Sequence, residues 1–350
     1  MTSQREAQIE ETFFTKRWRW NIGHDEPHVS TVEGALQQRL PHIDPTSWRT
    51  RFELGGVYVN KAAVELGATL STPCVLEYYE PRFPPEMAAQ FFPSFSASMV
   101  LYADDDLAVI FKPAGLPSTP PRDINNFNLQ SLAATFFGRS VHLPSRLDVA
   151  VSGLVLASFS PRMHRYCQKA QSRGWIEKYY LAEVVGVPGW SAIDAMFPLG
   201  RDPEHPVLRA VRADNGKAAH TRLRSMGSFR AGTAVLQAQP VTGRTHQIRI
   251  HCAELSHPII GDPYYGDPGP EVRLASFALQ FFHPYLKEGL SFTVPKALRP
   301  EWLAQYTDAV GEQNAIISVP VTVQAVDLKP EERPNPSGVD LRMQIRGKNN

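Results

Sequence analysis

Apolar residues recur along this chain at two spacings, and the change from one to the other separates a short N-terminal unit from a longer, strand-rich one. In the first unit Val32, Ala35, Leu36 and Leu40 repeat at helical spacing up to Pro41, behind the capping-box string Ser30-Thr-Val-Glu33. Asp44-Pro45 then offers a cap with proline at the first helical position, and Trp48 and Phe52 lie one turn apart. Gly55-Gly56 breaks that run, and Val57-Tyr-Val-Asn60 alternates as a strand. The predicted order is helix, helix, glycine turn, hairpin.

Beyond residue 98 strand-like runs dominate: Leu107 to Phe111, Leu154 to Phe159, Lys178 to Val185, Thr233 to Ala238 and Leu290 to Val294. One helix is well marked. Ser160 is a cap, Pro161 takes the first helical position, Met163, Tyr166, Cys167 and Ala170 form an apolar stripe, and Gly174 supplies the stop, so a helix is predicted from Pro161 to Arg173. The irregular alternation predicts an α+β fold on a mixed, largely antiparallel sheet with flanking helices, not a regular βαβ succession.

The 30 prolines fall mainly at joints. Pro81, Pro84, Pro85 and Pro93 deny both ladder hydrogen bonds and helix continuation, which marks a linker. Lys329 to Asn350 mixes Pro330, Pro334 and Pro336 with charges and few large apolar groups, a composition that buries too little surface to offset ordering. The expected organisation is an N-terminal segment (1–22), a first domain (23–80), a proline-rich linker (81–97), a main domain (98–308) and a partly disordered extension (309–350).

Lys and Arg number 36 against 35 Asp and Glu, a formal charge of +1, so a polyanion would have to be held by local patches. No stretch approaches the roughly 18 apolar residues of a membrane span, and the start of the chain is charged. The three cysteines, Cys74, Cys167 and Cys252, are far apart and outside any C-x-x-C pattern, which points to buried thiols in a reducing, cytoplasmic setting.

The strings for a P-loop, a dinucleotide-binding turn, a zincin helix and a serine elbow are absent, so cofactor-free chemistry is expected. His246, His251 and His257 have spacings of no common metal site, and no metal is expected. Two polar strings remain. In Arg146-Leu-Asp148, followed by Ser152-Gly153 and a strand, the Arg and Asp face the same way in extended chain and bias each other's charge, although exposed ion pairs of this kind are common. In Thr242-Gly-Arg-Thr-His-Gln-Ile-Arg-Ile-His251, Ile248, Cys252 and Leu255 fit a helix whereas Ile248, Ile250 and Cys252 fit a strand. A helix opening at Thr245 is preferred, because Ser256-His257-Pro258 ends it cleanly.

Together these strings resemble the RluA-type RNA pseudouridine synthases, whose signatures read H-R-L-D-x-x-T-S-G-L and G-R-T-H-Q-I-R-x-H followed by G-D-x-x-Y-G. The second is nearly complete between Gly243 and Gly266. Asp104 to Leu116, Lys178 to Ala182, Gly216 to Ala218 and Leu274 to Pro295 follow the family's order, so the likeness spans about 98–300. Ser145 and Val151 stand where the family usually has His and Thr. The first unit, with Arg39, Arg49, Arg51 and Lys61 spread over it and Gly55-Gly-Val-Tyr-Val-Asn60 as its strand, resembles the S4 RNA-binding module.

The resemblance implies a pseudouridine synthase fold preceded by an S4-like domain, and an isomerase that needs neither metal nor cofactor. It assigns Asp148 as the catalytic carboxylate, attacking ribose C1′ or uracil C6 or assisting loss of a C2′ proton, with Arg249 as its ion-pair partner. Tyr180 is implied as the ring that stacks on the flipped base, although on a strand either Tyr179 or Tyr180 is core, and Arg146 as the side chain that fills the vacated stack. Lys178, Gly243, Arg244, Thr245, His246 and Gln247 are implied as RNA-contacting, together with the four basic residues of the first unit. The implied partner is RNA, ribosomal ahead of transfer, acted on by a cytoplasmic monomer. A different class, an RNA-binding or ribosome-assembly factor that has lost catalysis, is the alternative motivated by Ser145 and Val151.

Overall fold

The computed structural model describes residues 13–24, 30–40, 43, 45–81, 92–119, 127–202, 208–311 and 314–315. The cap expected at Asp44, most of the 81–97 linker and nearly all of the 309–350 extension lie outside them. The chain divides into two compact units: Met1–Ser94 with Pro120–Asn128, and Phe95–Thr119 with Leu129–Asn350.

In the first unit, helices α1 (Val32–Arg39) and α2 (Trp48–Glu53) precede strands β2 (Val57–Val59), β3 (Ala62–Ala63) and β4 (Cys74–Pro81). The segment before residue 23 is also structured: β1 (Phe13–Ile22) pairs antiparallel with β4, giving a sheet in the order β1-β4-β2-β3. Its pattern is easily overlooked because Arg19 and Asn21 interrupt the apolar run, yet Trp18 and Ile22 alternate with them into the core. Trp18 stacks on Tyr78 across the strands, with centroids 5.4 Å apart, and Trp48 meets the same ring edge-on at 5.3 Å. The cap of α1 is Thr31, not Ser30: its side chain accepts from the Gly34 amide, while Glu33 binds Gln37 instead of closing a capping box.

The second unit is built on a sheet with the strand order β5-β6-β7-β14-β8-β13-β12-β9, and β15 also pairs with β14. The strands are β5 (Val100–Ala103), β6 (Leu107–Lys112), β7 (Ser152–Ser158), β8 (Ile176–Val185), β9 (Ala192–Ala195), β12 (Thr221–Ser228), β13 (Thr233–Pro240), β14 (Leu274–His283) and β15 (Glu288–Thr293). A separate hairpin joins β10 (Leu199–Arg201) to β11 (Arg209–Val211). All neighbours in the large sheet run antiparallel except β7 and β14, which are parallel. That parallel contact requires Gly153: a Cβ there would stand 2.3 Å from the Ser276 carbonyl oxygen, and its φ is +123°.

Helices cover both faces, which is why the central strands read as continuous apolar runs. On one face Ala108, Ile110, Val155, Ala157, Ala182, Leu236 and Ala238 pack against α3 (Leu129–Phe137) and α5 (Gln247–Glu254). On the other, Val109, Phe111, Leu154, Leu156, Leu181 and Phe277 meet α4 (Pro161–Ser172) and α6 (Glu301–Val310). Helix α4 starts as its sequence predicts, Ser160 accepting from the Met163 amide, and Gly174 follows its end at φ +71°. Helix α5 opens at Gln247, two residues later than expected. His246 caps it in the left-handed conformation, φ 57°, a backbone change that spacing of apolar residues does not register.

Candidate active site

Asp148 sits in the loop between α3 and β7, and its neighbours on both sides are tied to the segment that follows β6. The Ser118 hydroxyl donates to the Leu147 carbonyl at 2.7 Å and accepts from the Leu147 amide at 3.0 Å. On the other side the Val149 carbonyl accepts from the Gly115 amide at 2.8 Å and from Lys112 Nζ at 3.2 Å. Lys112 is fully buried at the end of β6 and also donates to the carbonyls of Pro113 (2.8 Å) and Leu116 (2.7 Å). Burial pulls its pKa down to about 7, and the charge of Asp148 works against that fall. The Val151 amide closes the turn on the Asp148 carbonyl at 3.1 Å. The loop is thus rigid on both sides of a carboxylate whose side chain keeps 27% of its surface open.

Helix α5 carries the opposing charge. Arg249 is buried, and its Nε and Nη2 donate to the two oxygens of Asp262 at 2.7 and 2.6 Å, a bidentate fork. The remaining Nη1 stands 3.5 Å from Asp148 Oδ2. The partner implied for Asp148 is therefore shared, and its tighter contact is with Asp262, a residue the sequence did not single out. Asp262 is held in turn by the amides of Tyr264 (3.0 Å) and Tyr265 (3.3 Å). It follows Gly261, whose φ of +75° and carbonyl neighbour Glu271, 1.9 Å from a built Cβ, leave no room for a side chain. The Arg249 guanidinium also lies over both tyrosine rings, 5.5 Å from Tyr264 and 5.2 Å from Tyr265. Burial lowers the Arg249 pKa, but the hydrogen bond and charge of Asp262 and the charge of Asp148 together raise it above the ordinary value.

Tyr179 and Tyr180 are separated by the pleat of β8. Tyr179 joins the core beneath α4 and donates to Glu177 at 3.0 Å. Tyr180 lies on the face that bears α5, where it feels the charge of Asp148. Burial raises its pKa, a hydrogen bond with Ser276 pulls the other way and Asp148 adds to the rise, so the phenol is protonated at neutral pH.

His246 comes next to this group, its Nε2 4.0 Å from Asp148 Oδ2. Burial pulls its pKa down to about 4, so the ring is neutral at pH 7. Arg146 is exposed beside Asp148, and Lys178 is half-buried with its ammonium on the Ser145 hydroxyl. Burial draws Lys178 down to about 8. Gly243 and Arg244 are exposed and Thr245 half-exposed; Arg244 Nε donates to the Ala218 carbonyl at 3.0 Å.

Two of the expected RNA contacts are corrected. Gln247 is buried, and its oxygen accepts from Thr242 Oγ1 (2.7 Å) and the Arg244 amide (3.0 Å) while its nitrogen donates to the His220 carbonyl and Thr221 Oγ1, both at 2.9 Å. Every polar position of the amide is used inside the protein, so Gln247 shapes the 242–246 loop rather than touching RNA. Arg51 is buried as well: Nε donates to Ser47 Oγ at 3.0 Å, and Nη1 reaches Tyr78 at 2.7 Å and pairs with Glu80. Arg49 and Lys61 are exposed, whereas Arg39 is half-buried over Trp20. The signals for the missed residues were present. Lys112 ends an otherwise apolar strand run, and Asp262 sits in a Gly-Asp-Pro-Tyr-Tyr-Gly turn. Among the described residues no group of three or more His, Cys, Asp or Glu is arranged to hold a metal, and no helix is long and apolar enough to cross a membrane.

The RNA pseudouridylate synthase family model matches residues 106–254, which contain Asp148, Tyr180, His246 and Arg249. An RNA pseudouridine synthase of Zymomonas mobilis is 38% identical over 49% of this chain and 79% of its own length. The dual-specificity RNA pseudouridine synthase RluA of Escherichia coli is 30% identical over 56% of this chain and 92% of its own. The ribosomal large subunit pseudouridine synthase D of Xanthomonas campestris is 36% identical over 62% and 70%. The carboxylate loop and the arginine helix thus lie within the stretch that the family model matches, and the chain belongs to the RluA-type family of RNA pseudouridine synthases, isomerases that act on RNA.

Proposed function

We propose that Asp148 is the carboxylate that reacts with the target uridine. The supporting observation is that this carboxylate is part-open to solvent and 3.5 Å from a buried arginine whose other two nitrogens are fixed by a second carboxylate. Asp262 holds the guanidinium so that it cannot turn away from Asp148, which leaves a fixed cation beside the proposed reacting group. Arg249 faces Oδ2, which leaves Oδ1 for the substrate. Attack at C1′ or C6, or help in removing a C2′ proton, all use that oxygen.

Pseudouridine is an isomer of uridine, so the reaction consumes no oxidant and no nucleotide: the N1 bond breaks, the base turns and C5 takes its place. The uridine must leave its stack, at a cost of a few kcal/mol. Tyr180 offers a ring beside Asp148 on which the turned base can stack. The exposed Arg146 is the planar cation suited to the emptied position in the helix. Arg244 and Thr245 lie on the proposed phosphate path of the second unit, and Arg49 and Lys61 on that of the first, read as an S4-like module. Ribosomal RNA is the proposed substrate, in line with the relative named for the large ribosomal subunit, and the enzyme is proposed to work as a cytoplasmic monomer.

The test is an Asp148→Ala variant compared with wild type by chemical mapping of pseudouridine in total RNA. The variant should fold, bind RNA with wild-type salt dependence and restore no pseudouridine. Wild-type modification by Asp148→Ala would overturn the assignment.

A further inference from the structure

His246 is held more firmly than a side chain that merely touches RNA would need to be. It caps α5 in the left-handed conformation, and its carbonyl accepts the Ile250 amide at 3.0 Å. Its ring stacks on Tyr264, with centroids 6.1 Å apart and planes 17° off parallel. Tyr265 approaches from the edge at 73°, and its hydroxyl lies 2.7 Å from His246 Nδ1.

The hydrogen atoms of this contact can be counted. A phenol carries one proton to donate and accepts through its oxygen. The Arg209 backbone amide, which can only donate, meets the Tyr265 oxygen at 3.0 Å. Among the described residues His246 Nδ1 is the acceptor within reach of the phenolic proton. If Nδ1 carried a hydrogen instead, Tyr265 would receive two donors and its own proton would have no protein acceptor, an unfavourable state for the hydroxyl of a half-buried residue. The phenol therefore donates to Nδ1, and the neutral imidazole keeps its hydrogen on Nε2, the atom that faces Asp148 Oδ2 at 4.0 Å. Such contacts are commonly long before substrate binds and shorten in the complex.

We infer that Tyr265 fixes His246 as its Nε2–H tautomer, so that His246 is a second, uncharged donor to Asp148 Oδ2 beside Arg249. Its value over another cation is that, by holding Oδ2, it orients the carboxylate so that Oδ1 faces the substrate, without adding a second positive charge. Arg249 supplies the charge and His246 the direction. Burial keeps the ring from protonating, with help from Arg249 and against the opposing charges of Asp148 and Asp262, and a neutral ring is what a donor of this kind requires. Tyr265 is a positioning residue, acting through His246. The inference rests on Asp148 as the reacting carboxylate, but the tautomer is measurable without turnover.

Long-range nitrogen–proton correlation spectra of 15N-histidine-labelled full-length protein at pH 7 should show an unprotonated Nδ1 and a protonated Nε2 for His246, assigned with His246→Gln. Tyr265→Phe should admit the other tautomer and lower kcat about tenfold, as loss of an outer partner of a site histidine does. His246→Gln, which can place an N–H near the Nε2 position, should keep most of kcat; His246→Leu should lose about a hundredfold, the scale for one aimed donor, with KM little changed. A protonated Nδ1 in the wild type, or equal losses in His246→Gln and His246→Leu, would overturn the inference. An active Asp148→Asn would overturn the reading of Asp148 instead, and would leave the tautomer as measured.

Discussion

Ser118 holds Leu147 by both of its backbone groups, donating to the carbonyl at 2.7 Å and accepting from the amide at 3.0 Å. One buried hydroxyl thus fixes the peptide that leads into Asp148. Ser118→Ala leaves the Leu147 amide buried without an acceptor, a loss of about 1–3 kcal/mol in stability by urea denaturation. The loop would also move more freely, so amide exchange at Leu147 should speed up. We expect kcat to fall while KM for RNA stays close to wild type, because the residue lies behind the reacting group and not on the RNA path.

The Arg249–Asp262 fork makes a second prediction. Arg249→Lys keeps a positive charge but cannot meet two carboxylate oxygens and Asp148 at once. We expect activity at least about tenfold down and a stability loss of about 3 kcal/mol, the scale for breaking a buried pair. Asp262→Asn should be as destabilising: Oδ1 can still accept from the Tyr264 and Tyr265 amides, but the amide nitrogen would set a donor against Arg249 Nε. Thermal unfolding and single-turnover modification separate the two effects. If Arg249→Lys kept wild-type stability, the bidentate geometry would be unimportant.

What the sequence made legible follows from how local each signal is. Helix α4 was readable because Ser160, Pro161 and Gly174 encode its ends within the chain itself. The separation of Tyr179 from Tyr180 follows from the pleat alone. Gln247 and Arg51 were misread because residue type reports polarity, whereas their partners Thr221 and Tyr78 come from distant strands. The left-handed turn at His246 defeated the helix start for the same reason: nothing nearby in the sequence demands it. Asp148 and Arg249 were legible as a pair only through family likeness, because a loop and a helix a hundred residues apart have no shared periodicity.

The basic residues of the first unit should divide by burial. Arg51→Met removes the donors to Ser47, Tyr78 and Glu80 and should cost about 2 kcal/mol, less than a fully buried pair because Glu80 is partly open to solvent. Arg49→Ala, at an exposed position, should leave stability within about 0.5 kcal/mol of wild type. Its effect should appear in RNA affinity, with the salt dependence of binding reduced by about one counterion. Filter-binding titrations across a salt series check this. A slope unchanged in Arg49→Ala would remove that residue from the phosphate path.

His246 should also make stability depend on pH in a defined window. Its folded-state pKa is pulled down to about 4 from an ordinary value of 6.5. Between those values the unfolded chain binds a proton at this residue and the folded chain does not, so lowering the pH favours unfolding. The stabilisation is fully present above 6.5, declines as pH falls and is lost by about 4; the difference corresponds to about 3 kcal/mol. Asp104, whose pKa is lowered to about 2 despite burial by hydrogen bonds from His283, Tyr102 and the Leu107 and Asp106 amides, destabilises the fold only at lower pH. Urea midpoints at pH 7 and pH 4.5, for wild type and His246→Gln, isolate the share of His246. The wild type should lose more stability than the variant over that interval. Equal losses would mean that the imidazole is not held neutral beside Arg249 in the folded protein.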